Sequence, residues 1–68
     1  MLEIYLTGGY VITVEDCDDI EEVKRALERK EKFITIYYAR VEAEFVTEPT
    51  HYCVINTDNI VFVDETIK

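Results

Sequence analysis

Cys17, His51 and Cys53 are the residues whose types could support nucleophilic or metal chemistry. His51 and Cys53 stand two apart, so on a strand both point to one face. A Cys–His nucleophile needs the base within hydrogen-bond reach and a third group to orient it, and same-face neighbours on one strand stand too far apart for that contact. Zinc takes four ligands, usually from two close pairs; these three residues offer no pair spacing. Cys17 begins a helical pattern, and a helix N-terminus favours a thiolate. Glu15, Asp16, Asp18, Asp19, Glu21 and Glu22 crowd around it and oppose one. The expectation is two free, unreactive thiols, with His51 at a strand entrance and Cys53 in the core.

Carboxylates are the other candidates. Glu42 and Glu44 have a spacing compatible with glycoside chemistry, but that chemistry needs a cleft, and 68 residues leave little room for one. Calcium wants six to eight oxygens, typically on a loop, and no Asp-x-Asp-x-Asp-Gly pattern occurs. Gly8-Gly9 is not a phosphate loop, because no further glycine and no Lys-Ser/Thr follows. These residues predict no catalytic site, no metal and no cofactor.

Charge is the strongest compositional signal. Fifteen acids face seven bases, a formal balance of −8. Such a surface repels nucleic acid and anionic membranes and attracts basic protein surfaces. Between Glu15 and Lys32 the capping and dipole needs of a helix explain the acids locally. Glu42, Glu44 and Glu48 have no such local reason. They are expected to project from one strand face as a carboxylate ladder. The start of the chain carries an acid and no basic segment, and the run Ile60–Val63 is far short of the ~20 residues of a membrane helix. A cytoplasmic protein is expected.

The elements that must position these groups form one α+β domain over residues 1–68. Leu2–Thr7 and Tyr10–Glu15 alternate around Gly8-Gly9 and predict a β-hairpin with a two-residue turn. Ile20, Val23, Leu27 and Ala26 predict a helix over 17–31, with Phe33 near its end, capped by Asp16 or by Asp18 with Glu21. From Phe33 to Thr47 the inward parity switches near Ala39-Arg40. A long bulged strand or a hairpin at that point both fit, and the lack of turn residues favours the bulge. His51–Ile55 and Ile60–Val63 are strands separated by a polar turn, and residues 64–68 are expected to fray. The order is ββαβββ, with one helix on a strongly bent antiparallel sheet or partial barrel. One helix cannot cover both faces of that sheet, so a homo-oligomer is expected.

The stretches Glu3–Tyr10 and Ile55–Glu65 resemble small phage- or prophage-encoded proteins of Gram-positive bacteria. That resemblance implies an inhibitor of a host factor and no catalytic residue. Together with the charge it suggests a non-catalytic binding protein whose acidic face occupies a basic nucleic-acid site on its target. Glu42, Glu44, Glu48, Asp16, Asp18, Asp19 and Glu22 would make the contacts, with Tyr37 as an exposed anchor. The alternatives are an assembly subunit that pairs through its sheet and an oligomeric small-molecule binder.

Overall fold

The computed structural model describes residues 1–44 and 46–67. Leu2–Leu6 (β1) and Val11–Val14 (β2) alternate apolar with polar residues and pair antiparallel, Ile4 opposite Ile12. Their connection is one residue longer than a two-residue turn. The Leu6 amide donates to the Tyr10 carbonyl (2.8 Å) around Thr7-Gly8-Gly9. Both glycines take positive φ, +86° and +82°, which side chains resist.

Cys17–Glu28 is the helix, α1. Asp16 is its N-cap and accepts from the Asp19 amide at 3.0 Å; the alternative cap at Asp18 is not used. The helix ends three residues before the expected 31, because Lys30 turns left-handed with φ 57°. The Glu31 amide then donates to the Ala26 carbonyl and the Lys30 amide to that of Leu27. Those two bonds close a Schellman end, where glycine is usual. Val23 and Ala26 are buried and Ile20 packs beside them, whereas Leu27, expected inward, is exposed, as is Phe33 beyond the helix. The four-apart pairings that the helix sequence offers, Glu21–Arg25, Lys24–Glu28 and Glu28–Lys32, are not formed. Arg25 instead pairs with Glu22 (2.6 Å) and Lys24 reaches Glu65 (3.1 Å).

Phe33–Ala43 (β3) is the long strand, and it is bulged. Val46–Thr47 (β4) folds back on its end, with Glu42 opposite Thr47. The chain therefore reverses after Ala43, where an outgoing strand was expected; Phe45, expected on the inward face, lies outside the described residues. His51–Asn56 (β5) pairs with the start of β3. Ile36 faces Cys53 and Ala39 faces His51, three steps against two. Tyr37 and Tyr38 thus share the single partner Tyr52, the mark of a bulge. Parity switches here, two residues earlier than expected: Tyr38 is exposed and Ala39 fully buried.

A 3₁₀ turn, Thr57–Asn59, leads into Ile60–Glu65 (β6), which pairs antiparallel with β1. β6 continues past the expected Val63, and the Thr66 amide still donates to the Met1 carbonyl. The strands run β4-β3-β2-β1-β6, with β5 also on β3. Among the described residues no ladder joins β5 to β6, so the bent sheet is open and not a closed barrel. Leu2, Ile4, Ile12, Val14, Ile34, Ile36, Ala39 and Ile55 from its concave side enclose Val23 and Ala26 of α1. Among the described residues no helix is long and apolar enough to cross a membrane.

Candidate functional site

Asp19, the third residue of α1, holds the bulge. It is 2 % exposed. Its Oδ1 accepts from the Tyr37 amide at 3.2 Å and its Oδ2 from the Tyr38 amide at 2.9 Å. A bulge takes amides out of the ladder, and a buried amide without a partner is costly. One carboxylate satisfies both, and charge strengthens each bond. In a capping box this position would reach back to the N-cap amide; here it reaches across to the sheet. Asp19 was expected among the partner-contacting acids, and its burial corrects that. It shapes the surface without being part of it.

Cys53 is half-buried beside the same carboxylate. Burial, and secondarily the Asp19 charge, push its thiol up from the usual range. The His51 Nδ1 bonds the Pro49 carbonyl at 2.7 Å. A carbonyl only accepts, so that nitrogen carries the proton. Cys53 is therefore a packed, protonated thiol and His51 is held by its own turn. Cys17 is exposed, and both cysteines are free. Among the described residues no three His, Cys, Asp or Glu side chains gather as a metal site.

The bulge displays tyrosines. Tyr37, Tyr38 and Tyr52 are 59 %, 61 % and 57 % exposed. The Tyr37 and Tyr52 rings meet at 5.5 Å, tilted by 57°. Clefts open on either side. Tyr38 borders one with Glu15, Asp16, Arg40, Thr13 and Thr50. Tyr37 borders the other, between α1 and β3, with Glu22, Ala26, Glu31, Phe33, Ile34 and Thr35. Of the expected contact residues, Asp16, Glu22 and Tyr37 are thus gathered around one junction, and Asp18 lies exposed on the first turn of α1. Tyr38, Tyr52 and Glu31 were not anticipated. Tyr38 was hidden by its parity with Ile36, which only the bulge breaks.

The second expected group does not form a ladder. Glu42 lies on the convex face, with Val11 and Thr47 as register partners. Glu48 follows the reversal and borders a cleft with Tyr10, Val41 and Ala43 on the opposite face. Glu44 is in the turn between them. Because β4 folds back, the three carboxylates diverge.

A further aromatic pair lies on the convex face at the other side of the sheet. Tyr5 and Phe62 stack at 4.3 Å, 9° from parallel. The Tyr5 hydroxyl approaches Glu3 (3.4 Å). The Glu3 charge, then partial desolvation and the Asp64 charge, raise the phenol above its usual range. The edge strand β6 is bulged where its register on β1 shifts between Tyr5 and Leu6, and it carries Asp64 and Glu65. Bulges and charges are how sheet edges discourage pairing with another chain.

Comparison of the chain with protein-family models, with curated proteins and with solved structures finds no match to any of them.

Proposed function

We propose that this chain is a small non-catalytic binding protein that grips a basic protein surface through the junction of α1 with the bulge. The observation that carries the reading is that three tyrosines stand more than half exposed side by side, two of them on backbone tied down by a buried carboxylate. Exposed aromatic area on an ordered backbone loses little entropy on binding, which is why Tyr serves as an anchor in interfaces. Glu15, Asp16 and Glu22 beside them supply attraction for Lys and Arg. The finer form of the proposal is a phage-type inhibitor acting in the cytoplasm, its carboxylates taking the place of phosphates in a host protein's nucleic-acid site.

Salt-dependent capture tests it. Immobilised protein is expected to retain a basic partner from bacterial lysate at low salt and release it at high salt. The pair Tyr38→Ser with Tyr52→Ser, and separately Glu22→Lys, should lose that partner. Retention unchanged by both would move the binding surface elsewhere. A captured partner whose DNA or RNA binding is unaffected by this protein would leave the binding role and remove the inhibitor role.

A further inference from the structure

We propose that the groove between α1 and the first half of β3 takes an extended basic peptide segment of the partner, added as a strand to the open edge of β3. The proposal rests on the protein-binding reading above and specifies how the partner enters.

Backbone phase is the first argument. The Thr57 amide donates to the Lys32 carbonyl at 2.9 Å. In an antiparallel ladder, bonded pairs alternate with non-bonded ones. With Ile34 opposite Ile55 and Ile36 opposite Cys53, the amides and carbonyls of Ile34 and Ile36 point to β5. Those of Phe33, Thr35 and Tyr37 point the other way, toward α1. The Tyr37 amide obeys this phase: it meets Asp19 across that gap. β2 does not reach this far, since its register on β3 begins at Ala39. The peptide groups of Phe33 and Thr35 therefore form a short open edge of the kind to which other proteins add peptide strands.

The groove beside that edge has room and a defined chemistry. Its volume is about 430 Å³, with Ala26 and Ile34 among its walls, within the span of roughly 300–1,000 Å³ common for ligand sites. Glu22 and Glu31 stand along it. Glu22 shares its charge with Arg25, which leaves Glu31 as the stronger attractor. A second copy of this chain would bring another net −8 to an acidic rim, and nucleic acid would be repelled likewise. An extended segment with Lys or Arg alternating with small apolar residues suits both requirements, because strand side chains alternate between faces. Its basic side chains would meet the glutamates while the alternate ones face Ala26 and Ile34.

The probe is a fluorescent heptapeptide of alternating lysine and valine, measured by anisotropy at low salt and by amide shifts in ¹⁵N-labelled protein. Two N-methylated series, each blocking alternate peptide amides, keep the charge and remove one edge of hydrogen bonds. The expected result is binding with the largest shifts at the Phe33 and Thr35 amides. One methylated series should lose affinity by about tenfold or more while the other retains it, the worth of one to two hydrogen bonds. Glu31→Lys should weaken the parent peptide by a similar factor. Equal binding of both methylated series, or shifts that leave Phe33 and Thr35 unmoved, would overturn strand addition. Either outcome leaves the lysate test of Tyr38 and Tyr52 standing. Loss of lysate capture in the tyrosine pair, with peptide binding intact, would place the anchor and the strand site in separate regions.

Discussion

Before its bulge, β3 has β5 along one edge and a groove beneath α1 along the other. After it, the same strand has β2 along one edge and β4 along the other. The second half is ordinary interior sheet. In the first half, one neighbouring strand is replaced by a helix and a single carboxylate. The contrast shows that the exposed tyrosines and the groove beneath α1 exist because the ladder is incomplete there. Asp19 satisfies the amides of Tyr37 and Tyr38, those of Phe33 and Thr35 are left facing the groove, and two tyrosines are turned outward.

The sharpest way to break this contrast is to remove the carboxylate. Asp19→Ala leaves two amides without partners and should lower stability by about 3 kcal/mol, a large share of the roughly 3–10 kcal/mol a chain of this length has. Urea unfolding measures it, and a loss below about 0.5 kcal/mol would mean the bulge does not depend on Asp19. Amide exchange then tests the two edges of the first half directly. The Ile34 and Ile36 amides should exchange at least about a hundredfold more slowly than those of Phe33 and Thr35. Uniform protection across 33–36 would place the hydrogen bonds otherwise.

A smaller effect concerns the turn that delivers the chain from α1 into β3. Lys30→Gly relieves the left-handed strain at that position and should raise stability by about 1 kcal/mol; a destabilised variant would mean the lysine side chain matters more than its backbone angle. The smallest concerns the far side of the sheet, where β1 has a strand along each edge. Tyr5 titrates above its ordinary 10.0 because Glu3 holds it neutral. Its folded value lies above its unfolded one, so its contribution is present below about pH 10 and fades as pH rises through the raised value. The wild-type phenolate signal minus that of Tyr5→Phe should show the raised midpoint, and Glu3→Gln should bring it down. An unmoved midpoint in Glu3→Gln would assign the shift to Asp64 and burial.

Much of the fold was legible in the residues. The Gly8-Gly9 hairpin, the helix start among Asp16–Asp19 and the shift of parity within Phe33–Ala43 all follow from steric and hydrophobic periodicity. Three features were not. The helix stops because Lys30 adopts an angle that sequence usually marks with glycine. The reversal after Ala43 uses no Gly, Pro, Asn or Asp, so turn chemistry could not announce it, and the carboxylate ladder assumed for Glu42, Glu44 and Glu48 failed with it. Asp19 is one acid in a run of acids, and no pattern separates the one that points inward. Its signal lay elsewhere, in the amides a bulged strand must leave without ladder partners. Once the bulge is inferred, a buried acceptor is required, and the nearby helix start is the place to look for it.

The Asp19 side chain also acts as a ruler. Its short, branched reach from the first turn of α1 to two adjacent peptide groups fixes how far that turn stands from the strand. A glutamate would be longer by one carbon, about 1.5 Å, and would have to push the helix outward or turn its carboxylate aside. The clearance beneath α1, and so the thickness of any segment that could lie there, is gauged by one methylene.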